Sequence, residues 1–250
     1  MNAQNLILDF GNTALKVAVF QNSELLHFQK IPNTEVCIIP KIEECIAPYK
    51  NISASIISSV TDIKAEVLSF LQKSFPLVLQ LSETTKIPIS SLYKTPQTFG
   101  KDRLAALVGA FSEFTNQNLL IVDAGTAITF DVLTAENKFI GGNIASGLYM
   151  RFKALHHFTS KLPLVQPHNE FSLLGLSTEE AIVCGVQNGL LFEIEGYYNN
   201  LSKIYQNLIV IFTGGDADFL QKNSKIPSIL RPHLVLFGLN FLLNYNLNKD

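Results

Sequence analysis

The sequence predicts an α/β fold made of two related halves, residues 1–115 and 116–250, that face each other across a cleft. Three observations lead there. Short apolar runs with the length of buried strands alternate with longer stretches of helical period. One device, an apolar strand ending in Asp followed by a Gly turn and a Thr, occurs twice, about half the chain apart. No linker or low-complexity tract separates independently folding pieces.

Each element follows from its local pattern. Leu6-Ile7-Leu8-Asp9-Phe10 reads as a strand, Gly11-Asn12 as a turn, and Ala14 to Phe20 as the returning strand, which Gln21-Asn22-Ser23 turns again. Ser53 to Val60 is a further buried strand, followed by a helix from about Asp62 to Lys73 and a strand from Leu77 to Leu81. A loop holding Pro88 and Pro96 leads into a helix from about Asp102 to Phe114. The second half begins the same way. Leu119 to Asp123 is a strand, Ala124-Gly125-Thr126 a turn, and Ala127 to Leu133 the return. Helical patterns follow at about Tyr149 to Thr159, Thr178 to Tyr205 and Leu234 to Tyr245. A strand from Leu208 to Phe212 runs into Thr213-Gly214-Gly215-Asp216.

Composition narrows the class of function. At 250 residues and 47% hydrophobic, the chain has enough apolar side chain to bury a sizeable core. The formal net charge is −2 with both signs interspersed, which gives no electrostatic case for nucleic acid or an anionic membrane as partner. Cys37, Cys45 and Cys184 are few, odd in number and widely spaced, so neither a disulfide framework nor a zinc site is expected. The first residues lack a basic stretch and their apolar run is broken at Asp9, unlike a signal peptide. No apolar run approaches the roughly 20 residues that span a bilayer. A soluble, cytoplasmic protein is the expectation.

The repeated turns carry the first chemical signal. Glycine lets the backbone approach a phosphate closely, the next Thr or Asn adds a donor, and the strand-end Asp can hold a cation. Either turn alone is also an ordinary hairpin; two copies weaken that reading. Lys16, on the strand leaving the first turn, has the reach of a phosphate. Thr213-Gly214-Gly215 can lay a flat base or ribose against bare backbone, so the chain order is phosphate turn, phosphate turn, nucleotide turn. G-x-x-x-x-G-K-[ST] is missing, as are the protein-kinase motifs. The segment Tyr93 to Arg103 adds a flexible Gly100 before Lys101-Asp102-Arg103 at a helix start. Asp102 reads either as a helix cap or as a base for a substrate hydroxyl. Arg103 reads either as a solvated cation or as a planar fork for a carboxylate. His156-His157 point to different helix faces with no third ligand near, so solvated histidines are expected there.

These residues together resemble the type III pantothenate kinases, a family on the actin-like ATPase and sugar-kinase fold with ribonuclease H-like halves. Asp9-x-Gly-Asn-Thr13 with Lys16 is similar to the family's first phosphate motif and Asp123-Ala-Gly-Thr-Ala127 to its second. Tyr93 with Gly100-x-Asp-Arg103 is similar to its substrate signature. Gly141-Gly-Asn-Ile144 with Gly147, Leu162-Pro163, Ser177-Thr178, Thr213-Gly-Gly-Asp216 and Leu234-Val-Leu-x-Gly-Leu239 complete the set in order, from about residue 6 to residue 246. One departure is Ser146 where the family usually has Pro, which puts the rigidity of that turn in question.

The resemblance implies ATP-dependent phosphorylation of pantothenate to 4'-phosphopantothenate, the first step of coenzyme A synthesis, by a cytoplasmic homodimer. It implies ATP binding by Asp9, Gly11, Asn12, Thr13, Lys16 and Thr126, to which the nucleotide turn adds Gly214 and Gly215. Pantothenate would be held by Tyr93, Gly100, Lys101, Asp102, Arg103 and Thr178, with Asp102 as general base. Asp9 would serve Mg2+, directly or through water, and Asp123 a monovalent cation, potassium or ammonium. Thr178 also has the pattern of a helix N-cap before Glu179-Glu180. Two other readings compete: a kinase for a different small molecule on the same fold, and a nucleotide-binding regulator without catalysis. The joint presence of Asp9, Asp102, Arg103 and Asp123 argues against the second.

Overall fold

The computed structural model describes residues 3–247, which divide into two compact units. The first runs to Glu113 and takes in the last helix; the second is Phe114–His233.

In the first unit, β1 (Gln4–Phe10), β2 (Ala14–Gln21) and β3 (Glu24–Pro32) form an antiparallel meander. Helix α1 (Ile38–Ile46) leads to β4 (Ile52–Ser59), which returns parallel to β1. Helix α2 (Ala65–Ser74) then leads to β5 (Leu77–Gln80), parallel to β4. The sheet order is β3-β2-β1-β4-β5. All seven residues of β1 are buried because both faces are covered, which is why the strand reads as an unbroken apolar run. On one face Leu6, Leu8, Val17, Val19 and Ile57 pack against Ile42, Val67 and Leu71 of α1 and α2. On the other lie α3 (Lys101–Glu113), reached through the short β6 (Ser90–Ser91) and a 3-10 turn, Pro96–Thr98, and α7 (Leu234–Leu247).

Helix α7 joins the first unit although 120 residues of the second precede it. Two causes are visible. At Gly109 and Gly238 the backbones of α3 and α7 touch, and a Cβ on Gly238 would overlap the carbonyl oxygen of Ala105. In addition, the buried polar residues of α7 are satisfied only there. Asn5 on β1 donates to Asn240 Oδ1 (2.8 Å) and Asn244 Oδ1 (2.9 Å), and Asn240 donates to the carbonyl of Asn22 (2.7 Å).

The second unit repeats the plan. Strands β7 (Leu119–Ala124), β8 (Ala127–Leu133) and β9 (Lys138–Ser146) form an antiparallel meander. Helices α4 (Leu148–His157) and α5 (Thr178–Leu201) lead to β10 (Ile209–Thr213), parallel to β7. Helix α6 (Ala217–Asn223) leads to β11 (Ser228–Leu230), parallel to β10. Its strands therefore run β9-β8-β7-β10-β11, element for element the order of the first unit. The core gathers Phe130, Phe152, Phe212, Val186, Leu190 and Ile194.

Six of the labelled elements escape the sequence reading, β3, α1, β6, β9, α6 and β11, as does the 3-10 turn. Strand β3 is an edge strand carrying Glu24, His27, Gln29 and Lys30, and β9 is interrupted by Gly141 and Gly142, so neither shows a clean apolar run. Helix α1 contains Pro40, tolerated because it stands in the first turn, where its missing N–H has no intrahelical acceptor. Helix α2 begins at Ala65 rather than at Asp62, and α5 ends at Leu201 rather than Tyr205. Among the described residues no helix is long and apolar enough to cross a membrane.

Candidate active site

The sequence-predicted residues fall into two sets, each built within one unit. In the first unit Asp9 stands at the end of β1, 2% exposed, directly opposite Lys16 on β2. Lys16 Nζ donates to Asp9 Oδ2 at 2.9 Å, so Lys16 is an ion-pair partner rather than a solvated strand lysine. Asp9 Oδ1 is buried without a hydrogen-bond partner, as is the hydroxyl of Ser58, the residue in register with Asp9 on β4.

The turn that follows is tightly tied. The N–H of Gly11 donates to the carbonyl of Ala14 (3.1 Å), and Asn12 and Thr13 are exposed at its tip. Asn33, immediately after β3, holds it from one side. Its backbone N–H donates to the Thr13 carbonyl (3.1 Å), and its side-chain amide donates to the carbonyls of Gly11 (3.0 Å) and Asn12 (2.9 Å).

Farther along, Tyr93, Phe99, Gly100, Asp102 and Arg103 come together at the start of α3. The Arg103 guanidinium carbon lies 5.6 Å from the Tyr93 ring centre and 5.1 Å from that of Phe99, and the two rings are 4.8 Å apart. Arg103 is only 4% exposed, which overturns the picture of a solvated cation; the aromatic faces shelter it and fix its plane. Phe99 was not singled out in the sequence. Its signal is the aromatic position between Tyr93 and Gly100, legible only once Arg103 is known to be buried. Asp102 lies one residue inside α3, where its Oδ1 accepts from the Arg103 N–H at 2.8 Å. A negative group in the first helical turn is favoured by the exposed amides there. A Cβ on Gly100 would stand 2.7 Å from this carboxylate. Beside the cluster opens a cleft of about 540 Å³, lined by Ser59, Thr61, Asp62, Thr98, Gly100 and Lys101.

In the second unit the corresponding turn is Gly125-Thr126, with the Gly125 N–H donating to the Ala127 carbonyl at 3.0 Å. Two other segments close on it. The N–H of Gly147, just past β9, donates to the Thr126 carbonyl (3.1 Å), and the Asp216 N–H to the Ala124 carbonyl (3.0 Å). Gly214 has φ +92°, and a Cβ there would stand 2.5 Å from the Ala124 carbonyl; both conformation and space require glycine. Thus Asp123, Thr126, Gly214 and Gly215 share one strand-end surface. The ladder positions flanking Asp123 hold Thr129 and Thr213, where those flanking Asp9 hold Lys16 and Ser58.

Ser146 does not leave its turn loose. Arg151 donates Nε to the Ser146 carbonyl (2.8 Å) and its N–H to that of Gly147 (3.1 Å), and its guanidinium is paired with Glu193 of α5. Thr178 is the exposed first residue of α5, and the expected N-cap role belongs to Ser177 instead. Ser177 Oγ accepts from the Glu180 N–H (3.2 Å), while the Glu180 carboxylate accepts from that of Leu176 (2.7 Å). His156 and His157 are exposed, with His156 Nδ1 2.8 Å from the Leu162 carbonyl. Among the described residues no three His, Cys, Asp or Glu gather as metal ligands.

Comparison with known proteins identifies the family and the fold. A family model described as type III pantothenate kinase matches residues 5–200. The type III pantothenate kinase of Christiangramia forsetii is 40% identical over 97% of this chain and 98% of its own length. That of Bacteroides fragilis is 39% identical over the same shares. Among solved structures, a ROK family glucokinase from Streptomyces griseus, in complex with glucose and AMPPNP, superposes with a TM-score of 0.54 at 14% identity, covering 97% of this chain and 100% of its own. The activator of the 2-hydroxyisocaproyl-CoA dehydratase from Clostridium difficile, with bound ADPNP, gives 0.55 at 13% identity, covering 98% and 94%. The structural likenesses establish the actin-like ATPase and sugar-kinase fold. The extent and level of sequence identity go further: this chain belongs to the type III pantothenate kinase family.

Proposed function

We propose that the chain transfers the γ-phosphoryl group of ATP to the primary hydroxyl of pantothenate, with Asp102 as the base and Arg103 as the carboxylate clamp. The product is 4'-phosphopantothenate and the process is coenzyme A synthesis. The observation that carries the assignment is the cluster of Arg103, Tyr93, Phe99 and Asp102 beside a cleft large enough for a small molecule.

Phosphoryl transfer depends on positioning and charge neutralisation more than on covalent help. The substrate hydroxyl oxygen bonds to the γ-phosphorus, the bond to the bridging oxygen breaks, ADP leaves, and the hydroxyl proton passes to the Asp102 carboxylate. A positioned base contributes about 10²–10⁴ in rate. Arg103, held flat by two rings, offers parallel N–H groups that fit a carboxylate. Gly11, Asn12, Thr13 and Lys16 on the first turn, and Thr126 with Gly214 and Gly215 on the second, contact ATP in this reading. Gly100, Lys101, Tyr93 and Thr178 complete the contacts to pantothenate.

Magnesium suits Asp9. Its buried carboxylate keeps an acceptor oxygen that Lys16 does not take, and Mg2+ prefers oxygen ligands and retained water. When bound, Mg2+ would offset charge on the phosphates. A monovalent cation, potassium or ammonium, suits Asp123, whose ladder neighbours are threonine hydroxyls and carbonyl-rich turns rather than a lysine. A cytoplasmic homodimer is part of the same reading. The three cysteines are free, and Leu173, Leu174, Leu176 and Phe158 are 67%, 77%, 96% and 82% exposed, apolar side chains that a subunit contact would cover. Light scattering should give twice the chain mass of 27.7 kDa; a monomer at working concentration would remove that part.

The central test is ADP release with pantothenate and with a panel of sugars, using wild type and Asp102→Asn. Turnover with pantothenate alone, lowered at least about 10²-fold in Asp102→Asn with ADP affinity kept, is expected. Near-wild-type turnover in the variant would remove Asp102 from its role, and turnover with a sugar but not pantothenate would overturn the substrate.

A further inference from the structure

We propose that Asn33 is a positioning residue that shapes the first turn for phosphate; the inference rests on the reading that this turn binds ATP. The two units are repeats, and in each the residue just after the third strand closes on the Asp–Gly–Thr turn. Asn33 follows β3 and Gly147 follows β9, and each donates its backbone N–H to the carbonyl of the turn threonine, Thr13 or Thr126, at 3.1 Å. The repeats then diverge. The second turn has room for no side chain at this position, since a Cβ on Gly147 would stand 2.5 Å from the Thr126 carbonyl. The first turn is one residue longer, Gly11-Asn12-Thr13 against Gly125-Thr126, and so presents one more carbonyl. The amide of Asn33 donates to both carbonyls before Thr13, those of Gly11 and Asn12.

The consequence lies in the geometry of the peptide unit. A trans peptide is planar, with its N–H pointing opposite to its C=O. Fixing the Gly11 carbonyl toward Asn33 aims the N–H of Asn12 to the opposite side of the turn, and fixing the Asn12 carbonyl does the same to the N–H of Thr13. Two successive amides directed to one side make a concavity suited to an anion. Asn33 therefore acts on the nucleotide through the backbone, without touching it. Aspartate is close to it in size but has no N–H to give, and would set a negative charge against two carbonyls.

The experiment compares full-length wild type with Asn33→Ala, Asn33→Asp and Lys16→Ala. It measures ADP affinity by calorimetry, KM for ATP and for pantothenate, and melting temperature without ligand. Loss of two hydrogen bonds that orient the amides should weaken ADP and raise the ATP KM about tenfold in Asn33→Ala, and at least as much in Asn33→Asp. The pantothenate KM should stay within about twofold, and the ligand-free melting temperature should hold, because Asn33 is exposed. Unchanged ADP affinity in both Asn33 variants, or a lower melting temperature as their sole effect, would overturn the proposal. Lys16→Ala separates the two levels. If it weakens ADP while the Asn33 variants do not, only the role of Asn33 fails. If none of the three weakens ADP, the reading of the turn as a phosphate site fails with it.

Discussion

Replacing Gly147 by Ala tests whether the second turn is positioned by close backbone packing. A Cβ at this position would stand 2.5 Å from the Thr126 carbonyl and closer still to that of Gly125. Ordinary carbon–oxygen contacts are about 3.3 Å or longer. Both opposing atoms are backbone, so no side chain can swing away and the turn itself must retreat by about 1 Å. Overpacking of this kind costs about 1–3 kcal/mol. For a chain of this size that lowers the melting temperature by roughly 2–12 °C. A displacement near 1 Å in a positioning element can cost about 10² in turnover. Gly185→Ala is the control. Gly185 is an exposed position of α5 between buried neighbours, where an added Cβ meets nothing within 4 Å. Within a helix Ala is better than Gly by about 0.5–1 kcal/mol, so that variant should melt a few degrees higher with unchanged turnover. Thermal unfolding and the ADP-release assay read both. Wild-type melting and turnover in Gly147→Ala would refute the argument, because the same methyl group would then have found space that the backbone does not provide.

Two further expectations concern the ligand groups. Arg103→Ala should raise the pantothenate KM about 10- to 100-fold, the range for a hydrogen bond to a charged group, and leave the ATP KM near wild type; an unchanged pantothenate KM would count against the clamp. Asp123→Asn should abolish activation when potassium chloride replaces choline chloride at constant ionic strength, with the ligand-free fold retained by circular dichroism. Persistence of full potassium activation in that variant would place the cation elsewhere.

Strand-end Asp9 and Asp123, the Gly turns and the central strands were legible in the amino-acid sequence because their signals are local. A strand covered on both faces must be apolar throughout, and a tight turn needs Gly, Asn or Thr within a few residues. Edge strand β3 was not legible, since one side of it is solvated and its alternation with charged residues resembles a loop. The placement of α7 was not legible either. Its sequence is largely apolar, and only the approach at Gly109 and Gly238, the bond from Asn5 and the bond to the Asn22 carbonyl assign it to the first unit. The same division runs through the site. Asp102 and Arg103 were named from the resemblance of Gly100-x-Asp-Arg103 to a family signature, and Arg103 as a buried group over Tyr93 and Phe99 came from the fold. Asn33 had no signal at all, because its side-chain partners lie 21 and 22 residues earlier. What the sequence determined by itself is the repeated strand-and-turn device. Which residues brace that device was decided by tertiary structure, because hydrogen bonds and close backbone contacts between distant segments leave no period or spacing along the chain.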